Sequence, residues 1–140
     1  MPTPDRDLVT GVIQLANLLM RHLAPVFEKA RVTPQQWAIL AALANAESPL
    51  TLAGLARAML VSKQNMTGMV GRLEELGLVE RQADPRDLRS VRVALTRKGR
   101  SVIEKARPAY ERWYAELVEG LPDIEIAKQT IAALIARLEK

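Results

Sequence analysis

Apolar residues recur at Leu8, Val12, Leu15, Leu19 and Leu23, and Val9, Ile13, Ala16, Leu18 and Met20 widen that stripe. The spacing predicts an amphipathic helix from about Leu8 to Ala24. Pro25 should kink or end it, since proline lacks the amide proton and crowds the preceding turn. A short helical piece through Val26, Phe27 and Ala30 can follow. Thr33-Pro34-Gln35-Gln36 reads as a helix start: Thr33 caps, Pro34 suits the first helical position, and Gln36 completes a capping box. That helix should bury Trp37, Leu40, Ala41 and Ala44 and stop before Ser48-Pro49. Thr51 is placed to cap a short helix, Leu52 to Met59. Ser62 is placed to cap another, which would bury Met66, Met69, Val70 and Leu73 and end with Gly77 at its C′ position.

The period then changes from helical to alternating. Leu78 to Ala83 reads as a strand, and Val91, Val93 and Leu95 alternate with Arg92 and Ala94 in a second. The polar segment Asp84 to Ser90, stiffened by Pro85, joins them as a β-hairpin with a charged tip. Thr96 can cap a long helix toward Glu119, interrupted at Pro108 and stopped by Gly120. A last helix from Asp123 carries Ile124, Ala127, Ile131, Leu134, Ile135 and Leu138 on one face. The predicted fold class is mostly α with a small β-hairpin wing. A winged helix-turn-helix lobe spans 33–96, flanked by helical regions at residues 1–32 and 97–140. The seam on the last helix would be buried by a second copy or by folding back on its own chain; its spacing fits both.

Composition narrows the chemistry. With 140 residues and no cysteine, the chain has neither disulfides nor thiolate metal sites, and one histidine leaves no His-rich metal site. No metal or other cofactor is expected. Membrane association is not expected either, because no apolar run is long enough to span a bilayer and the start does not resemble a signal peptide, so a cytoplasmic location follows. The net charge of +4 is unevenly placed. Residues 51–100 hold ten Lys and Arg against five Asp and Glu, whereas the other 90 hold ten against eleven. The positive excess therefore lies in the winged segment, where a polyanion would be met.

Within that segment, the face of the Ser62 helix opposite its apolar set offers Lys63, Gln64, Asn65, Thr67, Gly68, Gly71 and Arg72, with no acid before Glu74. Amides pair with adenine, lysine and arginine with guanine or phosphate, and hydroxyls with phosphate. Ser62, Lys63, Gln64, Asn65, Thr67 and Arg72 are the candidate DNA contacts of a helix placed for the major groove. Gly68 and Gly71 each cost a helix about 1 kcal/mol relative to alanine; close approach of DNA or close helix packing would account for them. Arg86, at a narrow projecting tip, is suited to a minor groove. Each of Asp84 and Asp87 is expected to pair with an arginine and fix the turn.

The run Asp84-Pro85-Arg86-Asp87-Leu88-Arg89-Ser90, leading into Val91-Arg92-Val93-Ala94-Leu95-Thr96-Arg97-Lys98-Gly99, resembles the wing signature of the MarR-type transcriptional regulators. So does Leu73-Glu74-Glu75-Leu76-Gly77-Leu78-Val79 before it. The resemblance covers nearly the whole chain. It implies that Arg86 reaches the minor groove and that Asp84 and Arg89 hold the wing together. It further implies homodimers built from both terminal regions, often with a ligand-responsive cleft between them and the DNA-binding lobe. Peroxide sensing through a reactive cysteine is excluded.

The expected function is a homodimeric, sequence-specific binder of double-stranded DNA that regulates transcription, usually by repression, with release by a small phenolic or anionic ligand as an option. Candidate ligand contacts are His22, if it lines a cleft, and Trp37, if its ring is open to stacking; otherwise they are a surface histidine and a core tryptophan. Tyr110, Trp113 and Tyr114 are read as packing anchors. The alternative is an antirepressor-like helical interaction module with a degenerate winged lobe. Catalysis has little support, because no nucleophile–base pair or phosphate-binding glycine loop is present.

Overall fold

The computed structural model describes residues 7–139, leaving aside the side chain of Leu88. The outermost expected boundaries, residues 1–6 and 140, lie outside them. Six helices and a three-stranded sheet follow in the order α1 (Leu8–Phe27), α2 (Pro34–Asn45), β1 (Leu50–Thr51), α3 (Leu52–Met59), α4 (Lys63–Glu75), β2 (Val79–Asp84), β3 (Asp87–Leu95), α5 (Arg97–Val118) and α6 (Ile124–Leu138). A single 3₁₀ turn, Glu28–Ala30, joins α1 to α2.

The four hydroxyl caps read from the sequence are all formed. Thr33 accepts from the Gln36 amide, Thr51 from Gly54, Ser62 from Asn65 and Thr96 from Gly99, at 3.0–3.1 Å. Gln36 returns the bond to the Thr33 amide and closes the capping box. Gly77 ends α4 at φ +75°, where an L side chain would be strained. Neither Pro25 nor Pro108 ends its helix; both lie inside continuous helices. Each removes one backbone bond, but packing holds both sides: Phe27 is buried beyond Pro25, and Ala106 and Tyr110 pack into the core on either side of Pro108. Asp123 precedes α6 in a left-handed conformation, φ +58°, and makes no side-chain cap.

The sheet order is β1-β3-β2, antiparallel throughout. The strands run further into the hairpin than the polar sequence suggested, leaving only Pro85 and Arg86 between them, with a register shift at Ala83/Asp84. β1 was not anticipated. It pairs Leu50 with Val93 and Thr51 with Arg92, tying the helix-turn-helix to the wing. The core gathers Phe27, Ile39, Leu40, Leu55, Met66, Val70, Leu73 and Val93, joining α1 to the winged lobe. Trp37 and Tyr110 pack on its edge in a triangle of rings with Phe27, with Trp37 centroids 4.9 Å from Phe27 and 4.6 Å from Tyr110 and those two 6.0 Å apart. By contrast, α6 buries no residue in the single chain.

Candidate nucleic-acid interface

Helix α4 is anchored from below by Met66, Val70 and Leu73, each fully buried. The helical period therefore turns Lys63, Gln64, Asn65, Thr67 and Arg72 outward, and all five are exposed. Ser62 spends a lone pair on its cap and keeps its O–H free to donate. Thr67 instead donates its hydroxyl to the Lys63 carbonyl at 2.9 Å, so it must rotate before it can offer a proton to a phosphate. Arg72 pairs with Glu75 at 3.1 Å, and both side chains are more than half exposed. Such a pair is weak and exchanges readily for a phosphate.

The wing is held against α4 by Arg81, whose Nε donates to Glu74 Oε1 at 2.6 Å. At its root lies Asp84, the buried charged residue of the described chain. Its carboxylate accepts from the Arg86 amide at 2.9 Å and faces the Arg92 guanidinium at 3.3 Å. The amide hydrogen bond and then the positive charges of Arg92 and Arg86 hold its pKa below the usual 3.8, while partial burial works the other way. Arg92 also donates to the Pro49 carbonyl at 2.8 Å, clamping the wing to the segment before α3. Arg89 does not reach Asp84. It lies 3.7 Å from Asp87 with its side chain 96% exposed, so the cation at the wing root is Arg92. Sequence reading missed that role, because the pairing depends on the strand register across the bulge.

These contacts leave the Arg86 guanidinium at the loop tip with no hydrogen bond or ion pair to the described residues. Its backbone amide is held by Asp84, whose carboxylate its charge also favours, and the residue is exposed at the turn. The outer face of α4 and the wing tip together carry hydrogen-bond donors and positive charge, the groups that grip DNA phosphates and base edges.

The two expected ligand contacts are not brought together. His22 is exposed on α1, and Trp37 is part of the core stack, its Nε1 buried and without a hydrogen-bond partner. Neither lines a cleft of about 740 Å³ that opens between α1, the 3₁₀ turn, the start of α2 and α4. Arg21, Arg31 and Arg72 stand around it against one acid, Glu28, with Ala24, Pro25, Val32 and Leu76 as its apolar wall. Arg31 takes φ +61° there, an uncommon conformation for a residue with a side chain.

Comparison with known proteins agrees with this geometry. The sequence profile of the MarR family matches residues 32–90. The HTH-type transcriptional regulator FarR of Neisseria gonorrhoeae is 31% identical over 99% of this chain and 97% of its own length. The transcriptional activatory protein BadR of Rhodopseudomonas palustris is 39% identical over 75% of this chain, which matches 62% of that protein. Among solved structures, the M. tuberculosis transcriptional regulator MosR in complex with DNA superposes with a TM-score of 0.86 at 25% identity, covering 96% of this chain and 97% of that one. From the wing motif to the whole backbone the likeness is continuous, and the chain belongs to the MarR family of DNA-binding transcriptional regulators.

Proposed function

We propose that this chain acts in the cytoplasm as a homodimeric repressor, with residues 33–96 as the DNA-binding lobe and both terminal regions as the dimer interface. One observation carries the reading: α4 presents Lys63, Gln64, Asn65 and Arg72 on an exposed face that is free of acids until Glu74, beside Arg86, whose guanidinium has no ion pair among the described residues and whose amide is held by Asp84. In this reading α4 enters the major groove, where Gln64 and Asn65 read bases, and Ser62, Lys63, Thr67 and Arg72 hold phosphates. Arg86 enters the adjoining minor groove. Asp84 keeps that tip in place through Arg92. The dimer spans two half-sites about one helical turn apart and blocks polymerase sterically. No catalytic step is assigned.

The arginine-lined cleft supports release by an amphipathic anion, such as an aromatic carboxylate, with its ring against Pro25 and Val32 and its charge on the arginines. His22 and Trp37 are then not its contacts.

Selection of bound duplexes from a random pool tests the main reading and should yield an inverted repeat with that half-site spacing. Absence of duplex binding at low salt would overturn it. Titrating the selected complex with benzoate-type anions tests the cleft: release should require Arg31, and release unchanged by Arg31→Ala would refute the cleft as the site.

A further inference from the structure

Helix α4 has 13 residues and two glycines, Gly68 and Gly71. Glycine weakens a helix interior because it exposes backbone and gains no side-chain contact. Elsewhere the fold itself requires the residue: a Cβ on Gly99 would lie 2.2 Å from the Leu78 carbonyl oxygen, and Gly77 takes φ +75°. Neither reason applies on α4. A Cβ on Gly68 or on Gly71 would meet nothing within 4 Å, and both have ordinary helical φ. Packing within the chain therefore does not explain them.

Their position on the helix does. At 100° per residue, Gln64, Gly68, Gly71 and, at the end of the helix, Glu75 lie on the face opposite Met66, Val70 and Leu73; the Glu75 carboxylate is paired with Arg72. Asn65 and Arg72 flank that face on one side, Lys63 and Thr67 on the other. Between Gln64 and Glu75 this face is thus bare backbone at exposed Gly68 and half-buried Gly71. On the Asn65 side it borders an open groove formed with Thr33, Gln35 and Gln36 at the start of α2. A helix with its side chains is about 10–12 Å across and the major groove about 12 Å wide, so every protruding Cβ on the leading edge limits how deeply the helix seats. Asn65 is short and reaches a base edge only from a deep seat.

We propose that Gly68 and Gly71 are specificity-determining residues that let the α4 backbone contact the floor of the major groove, bringing the Gln64 and Asn65 amides onto base edges. The inference rests on the DNA-binding reading and adds an interface made by main chain rather than side chain. Gly11 on α1 also faces open space, but among exposed apolar residues. The α4 ridge is bordered by amides and cations up to its last turn, where Arg72 neutralises Glu75, and that border favours a nucleic acid as its occupant.

The test is Gly68→Ala and Gly71→Ala in the full chain, with urea unfolding and binding to selected and scrambled duplexes measured on the same samples. Both variants should unfold at higher urea. Affinity for the selected duplex should fall about tenfold to a hundredfold, the scale of one good base contact, while binding to scrambled duplex at low salt persists. Higher stability with unchanged discrimination would overturn the role of the glycines and leave DNA binding intact. Loss of stability would also overturn it, by showing that the glycines pack inside the protein. A wild-type chain that binds no duplex would remove the DNA-binding reading itself and the inference with it.

Discussion

Arg86, Arg89 and Arg92 sit within seven residues of one another, and their surroundings give them three different tasks. Arg92 is held by a carboxylate and a carbonyl, so Arg92→Ala removes a charge-assisted hydrogen bond to Pro49 worth about 1–2 kcal/mol and leaves Asp84 without its nearest cation. Urea unfolding should show that loss, whereas Arg89→Ala, with its side chain almost fully in water, should stay within about 0.5 kcal/mol. Arg86→Ala should leave folding unchanged and weaken operator binding by about 1–3 kcal/mol in a titration. An unchanged affinity would remove Arg86 from the minor groove. Gly99 is constrained from the opposite direction. Gly99→Ala places a methyl group 2.2 Å from backbone oxygen and should destabilise the chain by about 1–3 kcal/mol, read as a lower thermal midpoint.

At the scale of elements, the wing behaves as a short lever fixed at its root. The Arg81–Glu74 contact ties β2 to the end of α4, and Arg92 ties β3 to the segment before α3. The Asp84 carboxylate completes the root only while ionised. Because its folded pKa lies below its ordinary 3.8, the stabilisation is complete above that value and is lost as pH falls through the lowered one. The stability difference between wild type and Asp84→Asn should therefore be constant at neutral pH and shrink only below pH 3.8. A difference that faded near neutral pH would show that another group governs the wing.

For the whole molecule, the dominant feature is apolar surface left uncovered. In α1, Leu8, Val9 and Ile13 are each more than half exposed; in α6, Ile126 is 58% exposed, Ile131 50% and Leu138 84%. Exposed apolar stripes of this extent on terminal helices mark an interface. Ile131→Glu changes a side chain that the single chain does not bury, so the winged lobe should stay folded. Burial of such a residue in a dimer seam is worth about 1.5–3 kcal/mol, and a carboxylate there adds a desolvation cost. The expected result is a monomer by light scattering, with helical circular dichroism retained and operator affinity near the non-specific level. A variant that stays dimeric would place the seam elsewhere.

Local signals were legible in the sequence because their physics is local. Thr33, Thr51, Ser62 and Thr96 each cap the amide three residues on, and Gly77 turns left-handed where the helical period ends. The basic middle segment and the acid-free outer face of α4 before Glu74 needed only composition and the helical period to be seen. What needed the tertiary structure was every decision made between distant segments. Packing of Phe27 and Tyr110 kept helices continuous through two prolines that propensity alone would break there. Two residues are too few to show a period, so β1 became visible only by its pairing with β3. Strand register across a bulge, not sequence spacing, chose Arg92 over Arg89 as the partner of Asp84. The same reason separates the glycines of α4 from Gly99: composition makes them alike, and only the distance from each absent Cβ to its neighbours shows which of them the fold requires.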